Sequence, residues 1–275
     1  MSSELFQRIL LATECTDFDA GAERLALAMA RRCGRPLAVV MPLVSNAEYE
    51  AVAPELAERA DRSAAALLAP LRDRARGAGV DIDLRVRRGA ETAAEIVDDA
   101  IEWQADLLVI RRRGRRSFLA QLLVGEMVGQ VLAEAPCDVL VVPRDAGLWA
   151  RRVLVVAEPA QPGRRLVSLG VAVAAECALP LTMLCRHSGG DPAQQRLAEG
   201  LLAEAQRLAR RANVAADGEL VSGASADRIL DAARRHGADL IVIEGGRAGG
   251  RAHGSDVAHQ VTGLTSCPVL LVRSE

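Results

Sequence analysis

Ile9-Leu10-Leu11-Ala12-Thr13-Glu14 returns as Val153-Leu154-Val155-Val156-Ala157-Glu158, and Arg32-Cys33-Gly34-Arg35-Pro36-Leu37 returns as Glu176-Cys177-Ala178-Leu179-Pro180-Leu181, both displaced by 144 residues. The correspondence continues. Gly89-Ala90 with Ala105-Asp106-Leu107-Leu108-Val109-Ile110 matches Gly223-Ala224 with Ala238-Asp239-Leu240-Ile241-Val242-Ile243, and Ala135-Pro136-Cys137-Asp138-Val139-Leu140 matches Thr265-Ser266-Cys267-Pro268-Val269-Leu270, where the offset has shrunk to 130. A duplication of this length divides the 275 residues into two domains of ordinary size, 1–145 and 150–275, each large enough to bury its own core.

Within each copy, short apolar runs alternate with stretches of helical period. Strands are expected at Ile9–Thr13, Leu37–Met41, Ile82–Val86, Leu107–Ile110 and Val139–Val142, with helices over Ala20–Arg32, about Pro54–Gly77, about Thr92–Trp103 and about Leu122–Glu134. The second copy repeats the pattern with strands near Val153–Val156, Leu181–Leu184, Glu219–Val221, Leu240–Ile243 and Val269–Val272. Such alternation implies an α/β chain of two tandem doubly wound, Rossmann-like domains, each a five-stranded parallel sheet flanked by helices. Ligands in such sheets bind beyond the carboxyl ends of the strands, where strand order reverses. That rule selects Ala12 and Glu14 beside Arg111 in the first copy, and Ala157 and Glu158 beside Glu244 in the second.

Composition narrows the chemistry. All 34 basic residues are arginine, which removes a Walker lysine, a Schiff-base lysine and a lysine general base. The net charge of −2 gives no overall drive toward nucleic acid or an anionic membrane, and aromatic side chains for stacking on bases make up only 2% of the chain. The six cysteines are dispersed without a C-x-x-C, so they read as small buried hydrophobes of a reducing compartment. No basic leader precedes an apolar stretch and no apolar run reaches membrane-spanning length, so the expected location is the cytoplasm. Cys185, His187, His253 and His259 fall toward one edge of the second domain, but C-x-H is not zinc spacing and no metal site is expected. Ser255, Asp256 and His259 hold triad residue types without a nucleophile elbow, so no catalytic residue is assigned.

Gln-Ala-Asp-Leu-Leu-Val at 104–109, Gly-Ala-Asp-Leu-Ile-Val at 237–242, Ala-Pro-Cys-Asp-Val-Leu-Val-Val-Pro at 135–143 and Ser-Cys-Pro-Val-Leu-Leu-Val at 266–272 stand in one register. Together with the first strands they resemble the universal stress protein family across nearly the whole chain, as a tandem two-domain member. In that family the first strand ends in an aspartate that meets the adenine and ribose of ATP, and a G-x2-G-x9-G-[ST] segment after the fourth strand wraps the phosphates. The resemblance therefore implies ATP or another adenine nucleotide as ligand, with a stress-response regulatory or sensing role and no turnover.

Both copies depart from that pattern. Glu14 and Glu158 stand in the aspartate position. Arg111 replaces the first glycine, Gly114 fits the second, ten residues precede Gly125, and Glu126 replaces the hydroxyl residue. In the second copy Glu244 takes the first-glycine position, and the loop through Gly246 to Gly254 and Ser255 is shorter by about three residues. Arg111 and its neighbours would draw an anion to the first site against the repulsion of Glu126. Two other readings stay open: an interaction scaffold with vestigial nucleotide sites, and a hydrolase of the related adenine-nucleotide type, whose Ser-Gly-Gly-x-Asp-Ser-like loop neither Glu14-Cys15-Thr16-Asp17 nor Glu158-Pro159-Ala160-Gln161 supplies. The linker after Pro143 is shorter than ten residues, and in the resembling family such domains pair through their last strands. The resemblance thus implies pairing of Val139–Val142 with Val269–Val272, a homodimer as a further assembly, and a protein partner that the sequence does not name.

Overall fold

The computed structural model describes residues 5–46, 50, 52, 54–112, 126–158, 164–187, 191–223, 225–245 and 253–273, the last segment by backbone alone at 253–256. Among them, the residues up to Leu148 form one compact unit and those from Trp149 another. The first unit runs β1 (Ile9–Ala12), α1 (Ala20–Cys33), β2 (Leu37–Val44), α2 (Pro54–Ala78), β3 (Ile82–Gly89), α3 (Thr92–Glu102), β4 (Leu107–Arg111), α4 (Glu126–Glu134) and β5 (Asp138–Val142). Its strands lie in the order β3-β2-β1-β4-β5, every neighbouring pair parallel. The order reverses between β2 and β4, on either side of β1. The expected start of the fourth helix at Leu122 lies outside the described residues.

The second unit repeats the sequence of elements as β6 (Val153–Ala157), α5 (Arg164–Glu176), β7 (Leu181–His187), α6 (Pro192–Arg211), β8 (Ala216–Ser222), α7 (Ala226–His236), β9 (Leu240–Glu244), α8 (His253–Leu264) and β10 (Val269–Val272). Its order β10-β9-β6-β7-β8 is the same topology, again all parallel. The central strands are covered on both faces. Ile9, Leu10 and Leu11 are fully buried, as are Val153, Leu154 and Val155, which is why they read as unbroken apolar runs rather than alternating ones.

The Ala-Asp-Leu motif common to both copies has a mechanical explanation. Asp106 accepts hydrogen bonds from the amides of Gln7 (2.6 Å) and Arg8 (3.0 Å), and Asp239 accepts from Ala150 (2.8 Å), Arg151 (3.0 Å) and Arg152 (3.0 Å). Each carboxylate satisfies the amides that precede the first strand of its repeat, where no strand partner would reach them. The helix ends before β2 and β9 close on glycine in the left-handed region, Gly34 (φ 63°) and Gly237 (φ 66°). Their counterparts in the other copies are Ala178 (φ 52°) and Gln104 (φ 53°), which hold the same conformation with a Cβ. Trp149 is buried, with its Nε1 donating to Cys177 Sγ at 3.2 Å, and Trp103 carries the Arg85 guanidinium 4.3 Å from its ring centroid. Among the described residues no helix is long and apolar enough to cross a membrane.

Candidate functional site

In the first repeat the ends of β1 and β4 are brought together by their parallel register, Leu11 opposite Val109. Arg111, the last residue of β4, turns across the end of β1. Its Nη2 donates to Glu14 Oε2 at 2.7 Å, and its Nη1 donates to Asp19 Oδ2 at 3.0 Å and to Thr16 Oγ1 at 2.9 Å. Asp19 in turn accepts from the Thr16 amide (2.9 Å) and hydroxyl (2.6 Å). The side chain of Asp19 is 1% exposed and that of Glu14 is 42% exposed. The arginine expected to offer its charge to a ligand is therefore held by two carboxylates, one of them fully buried. Asp19 escaped the sequence reading because it precedes α1 as an ordinary helix-starting residue. Its carboxylate makes no capping bond to that helix and serves Thr16 and Arg111 instead.

A second polar layer lies beneath. Thr13 Oγ1 donates to Glu23 Oε1 at 2.8 Å and accepts from the Cys15 amide at 2.8 Å, while Arg74 holds the other oxygen of Glu23. Cys15 sits in the left-handed region (φ 54°). Its burial, and then the negative charge of Glu23, push its thiol up to about 12, so it is no nucleophile near neutrality. Between these groups and the helices is a cavity of about 10 Å³ lined by Ala12, Pro42, Ile96, Ile110, Arg111 and Met127, among others. That is room for about one water molecule. Glu126 is exposed and is the first described residue of α4. Gly114 and Gly125 lie outside the described residues.

In the second repeat the register sets Ala157 opposite Cys185 and Val156 opposite Ile243. Glu158, one residue beyond β6, accepts from Arg186 Nη2 at 2.6 Å. Arg186 is 5% exposed, and its burial pulls its pKa down against the opposing pull of Glu158. The sequence reading passed over it because β7 reads on as an ordinary strand. The position displaced by 144 residues in the first copy is Pro42. Glu244 ends β9, in the place that Arg111 holds in the first copy. Gly246 lies outside the described residues, and Gly254 and Ser255 belong by backbone to α8 rather than to a loop. Cys185 is buried, and that burial pushes its thiol up to about 12. Among the described residues no group of three His, Cys, Asp or Glu side chains is placed to hold a metal ion.

The sequence model of the universal stress protein family matches this chain twice, over residues 5–143 and 150–273. The chain belongs to the universal stress protein family. Solved structures agree at the level of fold. A universal stress protein from Archaeoglobus fulgidus DSM 4304 aligns with a TM-score of 0.76 at 16% identity, covering 97% of this chain and 96% of that one. A putative universal stress protein from Pseudomonas aeruginosa UCBPP-PA14 aligns with a TM-score of 0.66 at 15% identity, covering 100% and 95% respectively. A search of curated protein sequences returns no significant match. In this tandem universal stress protein both copies keep an acid at the end of the first strand, Glu14 and Glu158. Each acid is paired with an arginine, but the arginines come from opposite flanks: β4 in the first copy and β7 in the second.

Proposed function

We propose that this universal stress protein is a stress-response regulator that senses an adenine nucleotide or another anionic ligand at the carboxyl edge of its first repeat, without turning it over. The observation that carries the reading is the Arg111 clasp. An apolar floor formed by Ala12, Pro42, Ile96 and Ile110 is suited to a flat ring, and a cation is held at its rim by Glu14 and Asp19. A ligand opens the cavity by taking Arg111 from Glu14, the more exposed of the two carboxylates, so that the clasp becomes part of the bound state. Turnover is disfavoured because Cys15 stays protonated and the acids around the rim are committed to ion pairs.

Isothermal titration with ATP, ADP, AMP and an inorganic polyphosphate at two salt concentrations tests the reading. Weak to moderate, salt-sensitive binding is expected, strengthened by Glu126→Ser. The nearly water-sized cavity favours one other reading, an interaction scaffold with a vestigial site. Folded wild type and Glu126→Ser that both fail to bind any of the four would establish the scaffold, and steady release of phosphate from ATP would establish a hydrolase.

A further inference from the structure

We propose that the second repeat carries a site for a small zwitterion of the α-amino-acid type, with the ligand carboxylate on Arg186 and its ammonium on Glu158. Arg186 is nineteen-twentieths buried, and its Nη2 meets a Glu158 oxygen at 2.6 Å. The neighbouring Nε is buried, and among the described residues it has no acceptor. Nε and Nη2 form the side of a guanidinium that a carboxylate spans with two parallel hydrogen bonds. A buried donor without an acceptor is costly, so the arrangement is short of one oxygen atom.

Charge selects the ligand. Glu158 follows β6 directly and Glu244 ends the adjacent β9, while Arg186 is the last residue but one of β7 on the other flank. A plain anion brought to Nε meets Glu158, and a plain cation drawn to Glu158 leaves Nε unfilled. A molecule with both charges answers both groups and buries no net charge. The Glu158 side chain is 31% exposed against 6% for Arg186, which leaves the carboxylate of the pair reachable from solvent. In the first copy Pro42 occupies the position of Arg186, so nothing equivalent exists there. The inference does not depend on nucleotide binding by the first repeat.

The test is titration of the whole protein with glycine, following the Arg186 Nε–H resonance by ¹⁵N NMR, with acetate and methylammonium as half-ligand controls. Glycine is expected to shift that resonance saturably, and each control to bind at least about tenfold more weakly. Arg186→Met, which removes the reporting group, should abolish glycine binding by the folded protein in isothermal titration. Where that variant fails to fold, Glu158→Gln decides, because it keeps a polar partner for Arg186 and loses the ammonium site; its glycine affinity should fall about tenfold, toward that of acetate. A resonance unmoved by glycine, or equal responses to glycine and acetate in wild type, would overturn the proposal, as would an unchanged glycine affinity in Glu158→Gln.

Discussion

At the scale of single residues, the first site is governed by which carboxylate Arg111 can leave. Asp19 is fully buried and accepts three hydrogen bonds, whereas Glu14 is 42% exposed and holds Arg111 by one contact. Exposed pairs contribute little, roughly 0–1 kcal/mol. Glu14→Gln should thus leave the melting temperature almost unchanged while releasing one edge of Arg111, and nucleotide affinity by calorimetry should rise about threefold to tenfold. Asp19→Asn should behave differently and destabilise the fold, since it leaves Arg111 and Thr16 short of a buried anion. Cys15 and Cys185 give a test in pH. Both thiols have a folded pKa above the ordinary value of 9.0, at about 12. For a group raised on folding, the stabilisation is complete below the unfolded pKa and lost as pH rises through the folded one, here between about 9 and 12. Alkylation of these two thiols at pH 8 should accordingly be far slower in the native than in the denatured protein, and rapid native labelling of either, followed by mass spectrometry, would contradict the burial described.

At the scale of elements, the repeats solve the same joints with different residues. Ala178 and Gln104 sit where the other copy has glycine, and each carries a Cβ in the left-handed region. That conformation costs an ordinary residue about 1 kcal/mol, so Ala178→Gly and Gln104→Gly should each raise stability, by about 0.5–1 kcal/mol in a denaturant titration. The Asp239 bracket works in the opposite sense. Three amides converge on its two oxygens, and Asp239→Asn would set a donor against at least one of them. A loss of about 1–3 kcal/mol is expected, with hydrogen exchange accelerated first at residues 150–152.

At the scale of the molecule, the duplication made the architecture readable. Ten apolar runs in the same succession led to two units of identical strand order, and the described helices of the first copy fall within a few residues of their expected places. Three strands were read well short at their carboxyl ends. β2 extends to Val44, β3 to Gly89 and β7 to His187, because an apolar run reports burial and these ends are partly exposed. The same blindness hid two members of the candidate site. Glu14, Arg111, Glu158 and Glu244 were legible from the family register, but Asp19 and Arg186 were not: one looked like a helix start and the other like strand continuation. Their roles arise from contacts between strand ends, which no local pattern encodes. Gly114, Gly125 and Gly246 carried the phosphate argument and lie outside the described residues.

The arginines on opposite flanks make the two strand-end acids non-interchangeable. The first copy has Pro42 where the second has Arg186, and the second has Glu244 where the first has Arg111, so neither copy can rebuild the other's pairing by turning a side chain. A substitution beside one acid is felt by a cation that the other copy lacks, and the twins are no spares for each other.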